Sequence, residues 1–222
     1  MIPCEQMTES LYGIFGGTFD PVHNGHLNTV ASVKANCNLQ KVSFIPASIP
    51  PHRDLPGATA KQRLDMVELA ISGYPDFEVD DRELQRDSPS YTFDTVKSLQ
   101  ADFPNRNYCF IVGVDAFIGL EKWHRWRDLL DQVNFIVMRR PGWLAPSPLP
   151  IWWSERKKHC CDELRNNNIA RSGGGIVEIE VEPNPVSATE IRYGVASNVD
   201  ISSMVTDSVR DYIYSNNLYH KE

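Results

Sequence analysis

The sequence predicts an α/β protein: a single domain built on a doubly wound, mostly parallel sheet with helices on both faces. Three observations predict it. Short apolar runs alternate with segments of helical period along the chain, the pattern of strands joined by crossover helices. The first apolar run, Leu11–Phe15, ends in Gly16-Gly17 and leads into a helical segment at His23. A strand-to-helix turn of that kind is where parallel sheets receive ligands. Finally, 222 residues suffice for one substantial core.

In order, Leu11–Phe15 is the first strand and His23–Ala35 the first helix. Val42–Ile45 is a second apolar run, stopped by Pro46. Lys61–Ile71 has helical spacing, with Leu64, Val67, Glu68 and Ile71 on one side. Phe77–Val79 is a short strand. Thr92–Leu99 reads as a helix whose Ser-Tyr-Thr start offers capping hydroxyls. Tyr108–Val112 and Phe135–Met138 are further strands, and Ile176–Val181 alternates as a strand near a sheet edge. Pro141–Pro150 is a proline-rich loop, Trp152–Asn168 a charged, solvated helix, and Ser172–Gly175 a glycine linker. Thr189–Val195 and Met204–Tyr214, within residues 203–216, close the chain as helices. Residues 1–10 form a polar lead, and no internal repeat is visible.

The composition, 41% hydrophobic and 23% charged, is that of a globular protein. A net charge of −7 argues against a nucleic-acid partner. It leaves room for a nucleotide, because a local cluster of cations can dominate a cleft. No apolar stretch reaches the length of a membrane span. Met1–Ser10 lacks the basic-then-apolar order of a signal peptide, so cytoplasmic residence is expected. The five cysteines include no CxxC pair. Cys160 and Cys161, after His159, read as reduced thiols on a helix rather than as zinc ligands.

The chemistry concentrates in Gly16-Gly17-Thr18-Phe19-Asp20-Pro21-Val22-His23-Asn24-Gly25-His26. Two glycines let backbone approach a ligand closely. Two histidines three apart, at the start of a helix, share one face. A helix N-terminus favours anions through its free N–H groups and its dipole. Imidazoles, amides and dipole together suit phosphate. A second helix start, Val186-Ser187-Ala188-Thr189-Glu190-Ile191-Arg192, brings two hydroxyls and a guanidinium to another N-terminus.

The first block resembles the GGTFDPVHxGH signature of the HxGH nucleotidyltransferases, unbroken from Gly16 to His26. The second resembles their ISSTxIR motif, with Ala188 in place of the second serine. Four further segments are similar to those of the nicotinate-nucleotide adenylyltransferase family. They are Pro46-Ala47-Ser48-Ile49-Pro50-Pro51-His52-Arg53, Ser90-Tyr91-Thr92-Phe93-Asp94-Thr95, Gly113-Val114-Asp115 with Trp123-His124-Arg125-Trp126, and Arg139-Arg140-Pro141-Gly142. Arg53 stands where the family pattern has lysine, and His124 where relatives often carry tyrosine. Residues 143–175 match nothing.

The resemblance implies a Rossmann-like fold and transfer of the adenylyl group of ATP to nicotinate mononucleotide. It implies phosphate handling by Thr18, His23, His26 and Arg192, with Gly16, Gly17, Phe19, Ser187 and Thr189 also on ATP. It implies mononucleotide contacts from Arg53, Tyr91, Thr92, Asp115, Trp123, His124, Arg139 and Arg140. Asp94 is expected as a cap or structural contact, Trp123 to face the pyridine ring and Trp126 the core. No carboxylate cluster suggests a resident metal, so Mg²⁺ is expected to arrive with ATP. Nicotinamide mononucleotide or another phosphomonoester stays open as acceptor. So do a catalytically silent nucleotide-binding module, and self-association.

Overall fold

The computed structural model describes residues 10–48, 56–86, 89–166 and 174–220. Arg53, Ser172 and most of the polar lead lie outside them. Seven parallel strands form one sheet in the order β3-β2-β1-β4-β5-β7-β6. The strands are β1 Leu11–Gly17, β2 Lys41–Pro46, β3 Phe77–Val79, β4 Asn107–Gly113, β5 Asn134–Arg139, β6 Lys157–Lys158 and β7 Ile176–Glu180. The chain starts in the middle, winds outward through β2 and β3, then crosses back to β4 beside β1. Strand order therefore reverses between β1 and β4, which places a ligand crevice above their carboxyl ends.

Side-chain alternation along the central strands separates two cores. Cys109 and Ile111 belong to one, Phe110 and Val112 to the other. Helices α1 (Asn24–Cys37), α2 (Ala60–Ile71), α8 (Ala188–Ala196) and α9 (Asp207–Ser215) cover the first face with Val30, Met66, Ile191 and Val209. Helices α3 (Thr92–Asp102), α4 (Val114–Phe117) and α5 (Trp126–Gln132) cover the second with Val96, Phe117 and Leu129. Trp123 and Trp126 are both partly buried against that second core. The described residues contain no helix long and apolar enough to cross a membrane.

Several readings change. Helix α2 buries Arg63, Met66, Val67, Ala70 and Ile71 and leaves Glu68 exposed, a face turned by one position from the one expected. Helix α3 has Tyr91 at its N-cap and no side-chain capping bond. The Ser90 hydroxyl accepts from the Ser48 amide instead, at 3.0 Å, tying α3 to the loop after β2.

The described part of Trp152–Asn168 is no single helix. Its pieces are α6 (Ile151–Ser154), β6 and α7 (Asp162–Arg165). Trp153 is wholly buried against Phe117, and β6 adds a strand beside β7. A buried polar relay docks this segment. Asn134 Nδ2 donates to Asn107 Oδ1 at 2.8 Å, and Asn107 Nδ2 donates to the Leu164 carbonyl at 3.0 Å.

Cys161 is not a free thiol on a helix. Docking of α7 against the end of α1 brings it to a disulfide with Cys37, 124 residues away.

Candidate functional site: two helix starts over the sheet crevice

At the end of β1 the chain turns through Phe19, whose backbone sits at φ 52°. Bulky residues adopt that left-handed conformation only when their surroundings hold them there. Here the buried Phe19 ring packs 5.7 Å from Phe15 and 5.8 Å from Phe44. It also meets His26 edge-on at 5.3 Å. The next residue, Asp20, is 7% exposed and gathers bonds from distant parts of the chain. Its carboxylate accepts from the Gly57 amide at 2.8 Å, the Ala58 amide at 3.0 Å and the Tyr219 hydroxyl at 2.8 Å. Its main-chain oxygen accepts from Arg192 Nη1 at 2.7 Å.

Arg63 supports the same turn from below. It is 1% exposed, and its Nη1 donates to the Thr18 carbonyl at 2.8 Å and the Ala47 carbonyl at 2.7 Å. Its Nη2 donates to the Ser48 carbonyl at 3.1 Å. Burial lowers its pKa and the Asp20 charge opposes that shift; with an ordinary value above 12 it stays cationic at neutral pH.

His23 and His26 stack with ring centroids 3.7 Å apart. The His23 amide donates to His26 Nδ1 at 3.3 Å, so the second imidazole caps the first turn of α1. His23 is 8% exposed, and its Nδ1 has no hydrogen-bond partner among the described residues. Burial pushes its pKa down to about 4, against a smaller upward pull from Glu190. It is therefore a neutral imidazole at neutral pH.

Gly25 explains the spacing of the pair. A Cβ there would stand 2.9 Å from His23 Nδ1 and 3.3 Å from the Val186 carbonyl. Only a residue without a side chain lets α1 start directly against the segment that precedes α8. The two helix starts, far apart in sequence, thus form one wall.

At the start of α8, Ser187 accepts from the Glu190 amide at 3.2 Å, and the Glu190 carboxylate accepts from Ser187 N and Oγ at 3.0 and 2.8 Å. This is a closed capping box. The Ser187 hydroxyl proton is therefore engaged by Glu190 in this structure. Thr189 Oγ1 accepts from Arg192 Nη2 at 3.3 Å. Thr189 and Arg192 face a cavity of about 730 Å³ between α8 and the segment Asn217–His220.

A second cavity, of about 290 Å³, lies above β1 and β4. Gly16, Gly17 and Thr18 line one side, and Ser90, Thr92, Gly113 and Trp123 the other. Among its described lining residues Glu83 alone is ionisable. Thr95 Oγ1 donates to Glu83 Oε1 at 2.6 Å and accepts from Arg86 Nη1 at 3.1 Å. Burial raises the Glu83 pKa, partly offset by Thr95, Ser90 and Arg86.

The remaining candidate contacts do not line this cavity. The Tyr91 and His124 rings pack against each other at a tilt, with centroids 4.4 Å apart. Asp115 is exposed in the first turn of α4. Arg139 is paired with Glu180, whereas Arg140 is exposed. Arg53 lies outside the described residues. No group of three or more His, Cys, Asp or Glu stands ready to hold a metal among those described.

The sequence reading passed over Arg63, Glu83 and Tyr219, and assigned Asp20 no role. Arg63 had a usable signal, a cation at the i position of a buried i, i+3, i+4, i+7 face with Met66, Val67 and Ala70. Tyr219 had none, since its partner lies 199 residues away.

Fold and wall together are those of a nucleotidyltransferase. Residues 14–194 match the family described as cytidylyltransferase-like. A probable nicotinate-nucleotide adenylyltransferase of Yersinia enterocolitica is 38% identical over 219 residues, covering 98% of this chain and 99% of that protein. One of Pseudomonas syringae pv. tomato is 40% identical, covering 93% and 92%. A Plasmodium falciparum nicotinic acid mononucleotide adenylyltransferase, solved in complex with NaAD, superposes with a TM-score of 0.72 at 17% identity, over 95% of this chain and 98% of that one. The chain belongs to the nicotinate-nucleotide adenylyltransferase family of enzymes.

Proposed function

We infer that this protein transfers the adenylyl group of ATP to nicotinate mononucleotide, forming nicotinate adenine dinucleotide and pyrophosphate. The observation that carries this is the shared wall, in which α1 starts against Val186 and Arg192 is held by the Asp20 carbonyl. Imidazoles, a guanidinium and two helix N-termini then stand along one wall, a set of donors suited to a triphosphate. The mononucleotide cavity lies just across the Gly16-Gly17-Thr18 strand end.

In the reaction a phosphate oxygen of the mononucleotide attacks the α-phosphorus of ATP. The new P–O bond forms as the α–β bridging bond breaks, and that electron pair leaves on pyrophosphate. The nucleophile is already an anion, so no general base is required. The work is positioning and charge stabilisation. Amides of Gly16 and Gly17 and the Thr18 hydroxyl hold the reacting phosphates. His23 and His26 donate N–H groups to phosphate oxygens, and Arg192 with Thr189 meets the leaving pyrophosphate. ATP enters as its magnesium complex. The described carboxylates fit that reading, since Asp20 and Glu190 are already engaged by amides and hydroxyls.

Preference for the acid over the amide is supported by α3. Its N-terminus carries no side-chain cap, Thr92 opens into the cavity, and the dipole favours a pyridine carboxylate. Trp123 offers a flat face to the cationic ring. Tyr91, Asp115, His124, Arg139, Arg140 and Arg53 are proposed as mononucleotide contacts that complete the site, Ser187 and Phe19 as parts of the ATP side. The test is pyrophosphate release with ATP and each mononucleotide in turn. Faster turnover with the acid is expected, and release with neither acceptor overturns the reading.

A further inference from the structure

Tyr219 turns back into the molecule near the end of the described chain. Its backbone stands at φ 63°, a conformation a bulky residue adopts only when held. What holds it is clear. The ring lies on Gly57, where an added Cβ would stand 3.2 Å from the ring edge, and the phenol donates to Asp20 Oδ1 at 2.8 Å. Burial and the Asp20 charge raise the phenol's pKa, so it remains a donor.

We propose that Tyr219 is a positioning residue for the triphosphate: by satisfying the buried Asp20 carboxylate, it keeps Arg192 from closing onto that carboxylate, so that the guanidinium can meet phosphate. The argument is one of competition. Arg192 Nη1 bonds the Asp20 main-chain oxygen at 2.7 Å, yet stands only 3.8 Å from Asp20 Oδ2. That carboxylate is buried and has three donors, two backbone amides and the phenol. Removing one leaves a desolvated anion short of a partner, and the nearby guanidinium is drawn onto it. The guanidinium then leaves the orientation in which it faces the cavity beside Thr189. Arg63, on the other side of the turn, spends both of its terminal nitrogens on three carbonyls.

This inference rests on the proposed adenylyl transfer, and the experiment separates the two. Tyr219→Phe keeps the ring and removes only the hydroxyl. Tyr212→Phe is the control, because Tyr212 makes a similar bond to Asp65 Oδ2 at 2.8 Å, between α9 and α2. Steady-state kinetics and thermal unfolding are measured for both variants, and ATP affinity by calorimetry without acceptor. Tyr219→Phe should lower kcat/KM for ATP about tenfold, the loss of one bond to a charged group, with the mononucleotide KM unchanged. Tyr212→Phe should keep wild-type kinetics. Wild-type use of ATP by Tyr219→Phe, or an equal loss in Tyr212→Phe, overturns the proposal. If the wild type transfers nothing to nicotinate mononucleotide, the function fails while calorimetry still decides. Weaker ATP binding in Tyr219→Phe alone supports the positioning role, and equal binding refutes it. Should Tyr219→Phe not fold, Gly57→Ala displaces the ring with the hydroxyl intact and is read in the same way.

Discussion

The wall proposed for phosphate and the cavity proposed for the pyridine ring lie by one strand end and are built differently. The wall is braced from every direction. Asp20 and Arg63 join the β1 turn to the loops after β2 and before α2, to α8 and to the C-terminal segment, through bonds of 2.7–3.1 Å that mostly end on backbone. The cavity has a firm floor, Glu83 with Thr95, but its outer candidates are occupied elsewhere. Tyr91 packs against His124, and Arg139 pairs with Glu180. The difference matches the chemistry. Charge develops on phosphate during the reaction, and donors that need no reorganisation at that moment stabilise it best. The pyridine ring is unchanged by the reaction, so its contacts serve affinity and selection.

Four measurements break or sharpen that contrast. The largest effect is expected at the wall. His26→Ala should lower kcat by about two to three orders of magnitude in a folded protein, the usual loss of one preorganised donor. Near-normal turnover in that variant would remove the wall's advantage.

Arg63→Met should destabilise the fold by about 3 kcal/mol, because it leaves three carbonyls around the turn without their donor. Urea unfolding reads this, and a loss below about 1 kcal/mol would show the brace to be dispensable.

The third is a pH effect. His23 has a folded pKa of about 4 against an ordinary 6.5, so the unfolded chain takes up that proton first. The His23 contribution is complete above about pH 6.5 and falls as pH drops toward 4, by up to about 3 kcal/mol. His23→Gln should flatten the stability profile in that window; an unchanged slope would assign acid loss to other groups.

The smallest effect belongs to the cavity. Trp123→Ala should raise the mononucleotide KM roughly tenfold, in line with about 1–2 kcal/mol for ring stacking and cation–π contact, with the ATP KM hardly moved. Equal shifts in both would place Trp123 outside the pyridine site.

The strands and helices of the two windings were readable because their periodicities are local and strong. The wall was readable because glycine, histidine and capping residues sit in short contiguous blocks. Helix boundaries moved by a few residues where caps decide them, as at α9, which starts after Thr206 accepts from the Val209 amide. Trp152–Asn168 was misread as one helix because, in its described part, the charge pattern hides a buried tryptophan and a two-residue strand that forms only beside β7.

Local pattern thus specified an alternating α/β chain, the GGTFDPVHNGH turn and the SATEIR helix start, because each depends on residues within a turn or two of one another. Packing alone decided that Gly25 abuts Val186, that Asp20 meets Tyr219, that Arg63 supports the Thr18 turn and that Cys161 reaches Cys37. Those pairings join residues 45 to 199 positions apart, and a contact across such a distance leaves no period in the sequence. It exists only once the sheet has set the strand order and brought the ends of its helices together.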